Sequence, residues 1–585
     1  MTMASICLTC PGLGFSRSTP SKRTRHMAKY EKQIYLTQPT IKATTTYAST
    51  VRRSANYPPS LWSCDYLQSL TNNYVGEKYE TRSDTLKECV RMLISNGTVV
   101  EDPLSMLELV DDLQRLGISY HFKEEISSVL KMIYIYHFKA NENWNKSKLN
   151  LKALGFRLLR QHGYHIPQEI FEDIKDENGN IKANVQEDIV GMLNLYEASF
   201  LAVEDEKILD EAREFTNIYL KEKLEKKNTG NESMLMLISH ALELPLVWRP
   251  PRFEAIWFIE AYKSRSDMKP LLLELAELDF NIVQGIHQED LKYLSRWWEA
   301  LGWNKKLSFA RDRLVESFMW TVGVSYQPSL GVLRKNMTKL ISLINVIDDI
   351  YDVYGTLDEL EQFTDIVRRW DINAIEELPE YMKICFLGFY NTINEMACNT
   401  LTNQELLIKP CVEKMWVEYC EANLLEAQWF NNGYTPTLEE YLKNSCITIS
   451  LPVIISNLYF FTSNIGEAPS QNIVQCSSLI LRLADDLGTS MAELKRGDVP
   501  KSIQCYMHET GASEEKARGY IKNLIVDTWK KLNKERITLS SQILVECATN
   551  LGRMAQFTYQ YADVFGSPDD WYKSQEISLI FNPKS

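Results

Sequence analysis

Two aspartates at helical spacing stand in the apolar segment LISLINVIDDIYDVYG (340–355). Asp348 and Asp352 are four residues apart, so a helix places both carboxylates on one face, with Asp349 beside them. Carboxylate oxygens are the ligands that Mg²⁺ prefers, and bound Mg²⁺ commonly joins carboxylates to substrate phosphates. The surrounding isoleucines make burial of these charges costly without a cation. The segment therefore favours a metal site, with a solvated helix face as the alternative.

A second oxygen-rich stripe lies in LILRLADDLGTSMAELKRGD (479–498). Asp485, Thr489 and Glu493 recur at intervals of four residues, which puts two carboxylates and a hydroxyl along one helix face. Arg482, one turn earlier, is placed to meet a phosphate oxygen. The alternative for Arg482 is a surface ion pair with Asp485. Two such helices suggest a cavity in which metal ions are held from both walls and pull on a leaving diphosphate.

The two motifs together resemble one family. DDIYD (348–352) and DDLGTSMAE (485–493) are similar, in order and separation, to the aspartate-rich and Asn/Asp-Ser/Thr-Glu motifs of class I terpene synthases. The resemblance implies that Asp348 and Asp352 hold two Mg²⁺ ions and that Asp349 supports them. It further implies that Asp485, Thr489 and Glu493 hold a third Mg²⁺, with Mn²⁺ as an alternative metal.

Two further elements follow from the same resemblance. Arg311 and Arg313 in SFARDRLVESFMW resemble the RxR element of the family, which contacts and shields the diphosphate. Ordinary pairing with Asp312 or Glu316 is their alternative. Because bidentate guanidinium donors stabilise a departing diphosphate best, Arg311 and Arg482 are the preferred contacts. The loop KRGDVPKS (495–502) suits a cover that closes over the bound diphosphate, or else a surface turn.

An ionised terpene is a carbocation, so the other end of the cavity must be apolar and lined with electron-rich rings. Trp320 and Tyr559 are the main candidates, through their resemblance to cavity positions in the family, with Tyr351 and Phe318 behind them. The chain has 63 Phe, Trp and Tyr residues, and most such rings simply fill helix cores. Packing therefore remains the alternative for each.

The elements that must position these groups are helices. Past residue 55 almost every stretch has apolar residues at three- and four-residue spacing, as in PLSMLELVDDLQRLG (103–117), and strand-like alternation is nearly absent. Breaks cluster around 228–252. We predict an all-α protein of two domains, 52–250 and 251–585. The resemblance implies that the first is the relic α-barrel of the family and the second its class I terpene synthase domain. The N-terminal half has no DxDD motif, so the reaction should start by ionisation only.

The first 51 residues differ from the rest. They hold seven Lys or Arg residues and a single acid, Glu31, among many Ser and Thr residues, which is typical of a plastid transit peptide. The alternative is a disordered tail. Removing the +6 charge of this segment changes a net charge of -13 to about -19, which disfavours nucleic acid as a partner. No run approaches the ~20 apolar residues that cross a bilayer. The twelve scattered cysteines argue against a zinc or disulfide framework.

Further residues point to one branch of the family. Arg52 and Arg53, followed after eight residues by Trp62, match the tandem-arginine element of plant monoterpene synthases. With the transit peptide, this element favours geranyl diphosphate as substrate, and the chloroplast stroma is the expected location. A monomer is expected, although no sequence feature indicates the oligomeric state. Ile341 stands where isoprene synthases have a Phe, which implies a ten-carbon pocket. Ile341 also offers no hydrogen bond to water, so an acyclic olefin such as ocimene or myrcene is favoured.

Several alternatives stay open at this point. Limonene, α-terpineol or linalool are the alternative products, since single contacts of ~1–3 kcal/mol redirect a carbocation. Isoprene or sesquiterpene synthesis would move the chain to a sister branch. A prenyl-chain-elongating enzyme also uses aspartate clusters, but its second motif is aspartate-rich, unlike DDLGTSMAE. A non-catalytic helical protein with solvated acidic faces is the alternative from another class.

Overall fold

The computed structural model describes residues 52–139, 147–174, 182–226, 232–404, 407–462, 468–496, 499–539, 543–560, 563, 565 and 568–584. The predicted transit segment 1–51 lies outside the described residues. Every regular element within the described ranges is a helix, which confirms the all-α prediction.

The N-terminal helices cover the region predicted as the first domain. In one of them, Pro103–Arg115, Pro103 occupies the first turn and the Asp102 side chain caps the Ser105 N–H at 3.1 Å. Leu107 and Leu113 on its inner face are fully buried. The helices are α1 (Cys64–Ser69), α2 (Glu77–Ser95), α3 (Pro103–Arg115), α4 (Lys123–Ile133), α5 (Leu149–Gln161), α6 (Ala183–Gln186), α7 (Ile189–Ser199), α8 (Lys207–Lys226) and α9 (Glu232–Glu243).

The C-terminal helices form a larger bundle. They are α10 (Pro251–Lys263), α11 (Pro270–Leu301), α12 (Trp303–Lys306), α13 (Leu314–Val324), α14 (Gly331–Asp349), α15 (Leu357–Arg369), α16 (Glu380–Gln404), α17 (Lys409–Asn431), α18 (Leu438–Thr448), α19 (Leu451–Phe461), α20 (Gln471–Arg496), α21 (Ser502–Thr510), α22 (Glu514–Leu539), α23 (Ile543–Thr558) and α24 (Asp570–Glu576).

Helix α11 connects the two halves of the fold. Pro270 begins it, and Gly302 ends it in the left-handed conformation (φ 67°) that a helix C-cap requires. Along its length it packs against α1 and α2 on one side and against α13 and α14 on the other. Asp279, buried on α11, accepts hydrogen bonds from Tyr120 and His121, both at 2.7 Å. These buried polar contacts fix the N-terminal helices against the bundle.

Helix α14 carries the first acidic motif and is almost entirely buried. It continues beyond Asp349 as a π-helical turn, Ile350–Tyr354, in which the Gly355 N–H donates to the Ile350 carbonyl at 2.9 Å. π-helical turns are rare and occur mostly at functional sites. Asp352 therefore lies in a widened turn rather than in the regular helix that its spacing predicted.

One helical stretch of the described chain, 438–461, is long and apolar enough to span a bilayer by length and composition alone. About two thirds of it (67%) is buried inside the protein, as in a core helix, and Ser450 divides it into α18 and α19 with a left-handed backbone (φ 66°). This is weak support for a membrane span, and the prediction that the chain has none stays a prediction.

Candidate active site

A single cavity in the C-terminal bundle collects most of the predicted site residues. Its walls come from α13, α14, the α18–α19 break, α20 and α23. Nine of the twelve predicted residues line it: Arg311, Trp320, Ile341, Asp348, Asp352, Arg482, Asp485, Thr489 and Tyr559. The other three, Asp349, Arg313 and Glu493, are placed differently and are described below.

The first motif divides its aspartates between the cavity and the core. Asp348 and Asp352 face the cavity, whereas Asp349 is fully buried behind them. Arg311 joins the two sides: its Nε and its backbone N–H donate to Asp349, at 2.9 and 2.8 Å, and its second nitrogen, Nη2, donates to Asp348 at 2.6 Å. Burial raises the pKa of the Asp349 carboxyl in spite of Arg311. Asp349 thus orients Arg311 rather than facing substrate.

The second motif repeats this arrangement on α20. Asp485 and Thr489 face the cavity, and Asp486 is fully buried. Arg482 bridges both aspartates, at 2.7 Å from Asp486. Asp486 also accepts a hydrogen bond from the Ser502 N–H at 3.1 Å, which ties the start of α21 to the motif. Asp486 was not predicted, although its position as second residue of an Asp-Asp pair matches that of Asp349.

The oxygen donors suit a hard divalent cation. Two carboxylates come from α14 and its π-helical turn, and a carboxylate and a hydroxyl come from α20. Among the described side chains, no three His, Cys, Asp or Glu residues lie close enough together to hold a cation alone. The side chain of Glu493 lies outside the described residues. The set fits Mg²⁺, which keeps waters and completes its shell with substrate phosphate oxygens.

Arg313 lies outside the lining of the cavity, in contrast to the RxR interpretation. Only 2% of its surface is exposed, and its guanidinium donates to the carbonyls of Pro58 and Phe565 at 3.1 and 3.2 Å. It also lies 3.8 Å from Glu316, the partner named in the alternative. Both arginines precede α13, which begins at Leu314, and their tertiary contacts separate them: Arg311 binds the aspartates of α14, and Arg313 binds the two carbonyls. Arg313 therefore anchors the chain around the cavity.

The aromatic candidates also divide between the cavity and the core. Trp320 and Tyr559 line the cavity with their ring centroids 6.1 Å apart, and Phe565, which was not predicted, lies 6.0 Å from Trp320. Phe318 and Tyr351 are buried in the core instead, and Tyr351 shares a hydrogen bond with Thr364 at 2.7 Å. The apolar remainder of the lining is aliphatic and includes Ile341, Ile344, Ile454, Leu481 and Leu551.

Polar residues from distant segments complete the lining. Lys501 at the start of α21 and Asp563 in the last loop both face the cavity. Tyr57 reaches it from the N-terminus, with its ring 5.2 Å from the Arg311 guanidinium carbon. Their positions depend on tertiary structure, and no local pattern marked them. Of the predicted cover at 495–502, only part lies within the described residues.

Residues 52–60, here called the N-terminal strap, lie across the end of the first motif. Arg52 donates two hydrogen bonds to Glu359 on α15, at 2.8 and 2.7 Å, and one to the Tyr354 carbonyl at 3.1 Å. Arg53 donates to the carbonyl of Asp352 at 2.9 Å. Burial raises the pKa of Glu359. The hydrogen bonds from Arg52, Thr356 and Tyr381 outweigh this effect and lower the pKa to about 2. The tandem arginines thus hold the π-helical turn.

Because Arg52 and Glu359 bind each other in a bidentate, partly buried pair, we expect their substitutions to be non-additive. Arg52→Ala and Glu359→Ala should each lower the free energy of unfolding. In the double variant the loss should be about 1–2 kcal/mol smaller than the sum of the two single losses. Urea unfolding of the four proteins measures this coupling. The exposed pair Arg82–Glu274, at 2.7 Å, is the control and should couple by less than about 1 kcal/mol. Additive effects at Arg52 and Glu359 would contradict the assignment.

Trp62 fixes the chain just after the strap. Its indole N–H donates to Glu576 at 3.4 Å, and its ring lies 4.5 Å from that of Phe581. Glu576 is fully buried, and burial, together with the charge of buried Glu316, raises the pKa of Glu576 to about 8. At neutral pH the folded protein therefore keeps a proton on this carboxyl.

This pKa predicts that stability falls with rising pH. The unfolded chain releases the Glu576 proton near the ordinary value of 4.5, whereas the folded protein holds it to about 8. Between these values the folded state carries the extra proton, so raising the pH favours unfolding, by up to about 1.4 kcal/mol per pH unit. We expect Glu576→Gln to flatten the decline of the melting temperature between pH 6 and 8. Glu439→Gln, at an exposed site, should leave the slope as in the unmodified chain.

With the fold and cavity described, comparison with known proteins identifies the class. Residues 299–531 match the family model "Terpene synthase family, metal binding domain", and residues 61–242 match "Terpene synthase, N-terminal domain". The chain therefore belongs to the terpene synthase family, and it is a lyase that uses a divalent metal.

Individual relatives span nearly the whole chain. An R-linalool synthase of Artemisia annua is 55% identical over 559 residues, covering 94% of this chain and 97% of that protein. A myrcene synthase of Quercus ilex is 51% identical and covers 91% and 90%. Limonene synthase with 2-fluorolinalyl diphosphate superposes with a TM-score of 0.87 at 42% identity, over 92% of this chain and 100% of that one. Isoprene synthase from grey poplar, in complex with three Mg²⁺ ions and dimethylallyl-S-thiolodiphosphate, gives 0.81 at 43%, over 90% and 99%.

Proposed function

We propose that this chain is a plastid monoterpene synthase that ionises geranyl diphosphate with Mg²⁺ and releases diphosphate and a ten-carbon product. One observation carries the proposal. The same cavity joins two acidic motifs with their arginines to a wall of aliphatic and aromatic side chains. The first part suits a diphosphate with its metal, and the second suits an isoprenoid chain. The names of the relatives, an R-linalool and a myrcene synthase, support a ten-carbon substrate.

In this proposal the divalent cations would be held by Asp348, Asp352, Asp485, Thr489 and Glu493. The resemblance implies that there are three such ions. Bound Mg²⁺ supplies charge that stabilises the leaving diphosphate. Arg311 and Arg482 each donate to an aspartate pair, and phosphate oxygens are alternative acceptors for the same N–H groups. Lys501 adds a third cation to the lining. The buried partners Asp349 and Asp486 keep both guanidinium groups oriented while diphosphate binds.

The hydrocarbon end limits the access of bulk water to the carbocation. Trp320 and Tyr559 present ring faces that stabilise positive charge, and the aliphatic lining offers no base or nucleophile. Ile341 lines this end, so the pocket is deeper than one closed by a Phe would be. An acyclic olefin stays the prediction that Ile341 supports. The relatives divide between an alcohol and a hydrocarbon, so they leave that choice open.

The domain organisation and location belong to the same proposal. Residues 1–51 would be the transit peptide, 52–250 the N-terminal domain and 251–585 the catalytic domain of a monomer in the chloroplast stroma. Several relatives are named as chloroplastic, among them the R-linalool and myrcene synthases. Arg52 and Arg53 are bound in the strap, which supports a mature chain that still contains them.

The test uses protein lacking residues 1–51, incubated with geranyl, farnesyl or dimethylallyl diphosphate, with and without Mg²⁺. Gas chromatography with mass detection identifies the products. We expect a ten-carbon product formed only from geranyl diphosphate and only with metal. Turnover chiefly of farnesyl or dimethylallyl diphosphate would assign the chain to a sister branch. No metal-dependent turnover of any substrate would overturn the proposal and favour a non-catalytic protein.

A further inference from the structure

One amide interrupts the cavity-facing stripe of α14. Ile341, Asn345, Asp348 and Asp352 all line the cavity, so along the stripe an aliphatic side chain is followed by an amide and then by two carboxylates. Asn345 and Asp348 are only partly buried, unlike the other residues between 340 and 351. Asn345 thus lies one helical turn from the first acidic residue, where the diphosphate end of the cavity passes into the hydrocarbon end.

The orientation of this amide follows from its neighbour on α13. The Ser317 hydroxyl donates its one proton to the carbonyl of Arg313, at 2.7 Å. It can therefore only accept from Asn345, 3.2 Å away, which places the Asn345 NH₂ group toward Ser317. Ser317 is fully buried. The amide oxygen, Oδ1, consequently points away from the core, to the side on which Asn345 lines the cavity.

Oδ1 has room for a further donor. Within the described part of the chain, the structure gives this oxygen no hydrogen-bond donor, and Asn345 is not among the residues with buried polar atoms lacking a partner. An exposed acceptor in a cavity binds water, and a water held by one hydrogen bond keeps its oxygen lone pairs available. Of the other hydroxyls that line the cavity, that of Thr448 donates to Glu426 at 2.7 Å and that of Thr489 donates to the Asp485 carbonyl at 2.9 Å.

Building on the proposed function, we propose that Asn345 is a specificity-determining residue that holds one water for capture by the carbocation. The water oxygen forms a C–O bond to the cationic carbon, and the resulting oxonium gives its proton to the released diphosphate. The products are a terpene alcohol and protonated diphosphate. Without this water, the cation loses a C–H proton to the same diphosphate and yields an olefin. Asn345 thus favours an alcohol, whereas Ile341 alone favours an olefin.

The experiment compares product ratios in the 52–585 protein with geranyl diphosphate and Mg²⁺ in H₂¹⁸O. We expect the unsubstituted chain to form an alcohol that carries ¹⁸O. Asn345→Leu, nearly isosteric but without an acceptor, should lower the alcohol-to-olefin ratio at least tenfold. Asn345→Thr keeps an acceptor and should retain part of the alcohol. Ser317→Ala releases the amide and should lower the ratio by a smaller factor. Circular dichroism checks that each variant folds.

Three outcomes would overturn the inference. The first is an unchanged alcohol-to-olefin ratio in Asn345→Leu. The second is formation of olefins only by the unsubstituted chain. The third is a fall of the alcohol in Thr448→Val without a fall in Asn345→Leu, which would move the water to Thr448. Failure of the proposed function itself looks different, because the unsubstituted chain would then form no ten-carbon product at all.

Discussion

Replacing Asp348 by alanine is expected to lower kcat with geranyl diphosphate by about 10²–10³-fold or more and to leave the fold intact. Asp348 faces the cavity and is only partly buried, so its removal creates no unpaired charge in the core. Arg311 keeps its two hydrogen bonds to Asp349. By the proposed function, what is lost is one oxygen ligand of the metal at the place where negative charge develops. Steady-state kinetics at saturating Mg²⁺ measure the effect, and circular dichroism measures the fold.

The matched control is Asp358→Ala. Asp358 is an exposed aspartate ten residues further on, in the first turn of α15, and it does not line the cavity. Its loss should leave kcat within about twofold, because surface charges away from the site contribute little. If Asp348→Ala and Asp358→Ala had the same activity, the acidic stripe would be an ordinary solvated face and the enzyme interpretation of this motif would be wrong.

Arg311→Leu should lower both stability and turnover. Asp349 is fully buried and would keep only the backbone N–H of residue 311 as a partner, and breaking a buried ion pair in this way costs about 3–5 kcal/mol. Urea unfolding measures the loss. The exposed pair Arg368–Glu421, at 2.8 Å, is the control: Arg368→Leu should cost less than about 1 kcal/mol.

The double variant Arg311→Leu/Asp349→Leu separates the two roles of Arg311. With both charges removed the core is apolar again, so much of the stability should return. Turnover should stay low, because the guanidinium that lines the cavity, and that we propose binds the diphosphate, is still missing. Recovery of turnover together with stability would show that Arg311 acts only through Asp349. For the control Arg368→Leu we expect neither the large loss of stability nor the loss of turnover.

The acidic motifs could be found from sequence because both depend on spacing within one helix. Asp348 with Asp352, and Asp485 with Thr489, needed only the helical period to be placed on one face. The same period could not separate Arg311 from Arg313, since both precede the helix and their tertiary contacts decide which side chain reaches the cavity. Trp320 and Phe318 differed for the same reason: both are apolar, and only packing shows which one borders the cavity.

Other parts of the site come from segments far apart in sequence. Tyr57 and Asp563 both line the cavity, yet they stand more than 500 residues apart, and no local pattern links them. Asp486 was within reach of prediction. Once Asp349 was assigned a supporting role beside Asp348, the second Asp-Asp pair offered the same inference, because adjacent helical residues point to different faces.

The contact of Trp62 with Glu576 and Phe581 joins segments more than 500 positions apart. A ribosome makes Trp62 long before Glu576 and Phe581, and contacts of such high sequence separation form late because the intervening chain must be ordered beforehand. The nascent protein therefore carries both acidic motifs before Trp62 can make these contacts. Catalytic competence should appear only after residues 576–581 have left the ribosome, and a chain truncated before Glu576 should have a misplaced N-terminal segment as well.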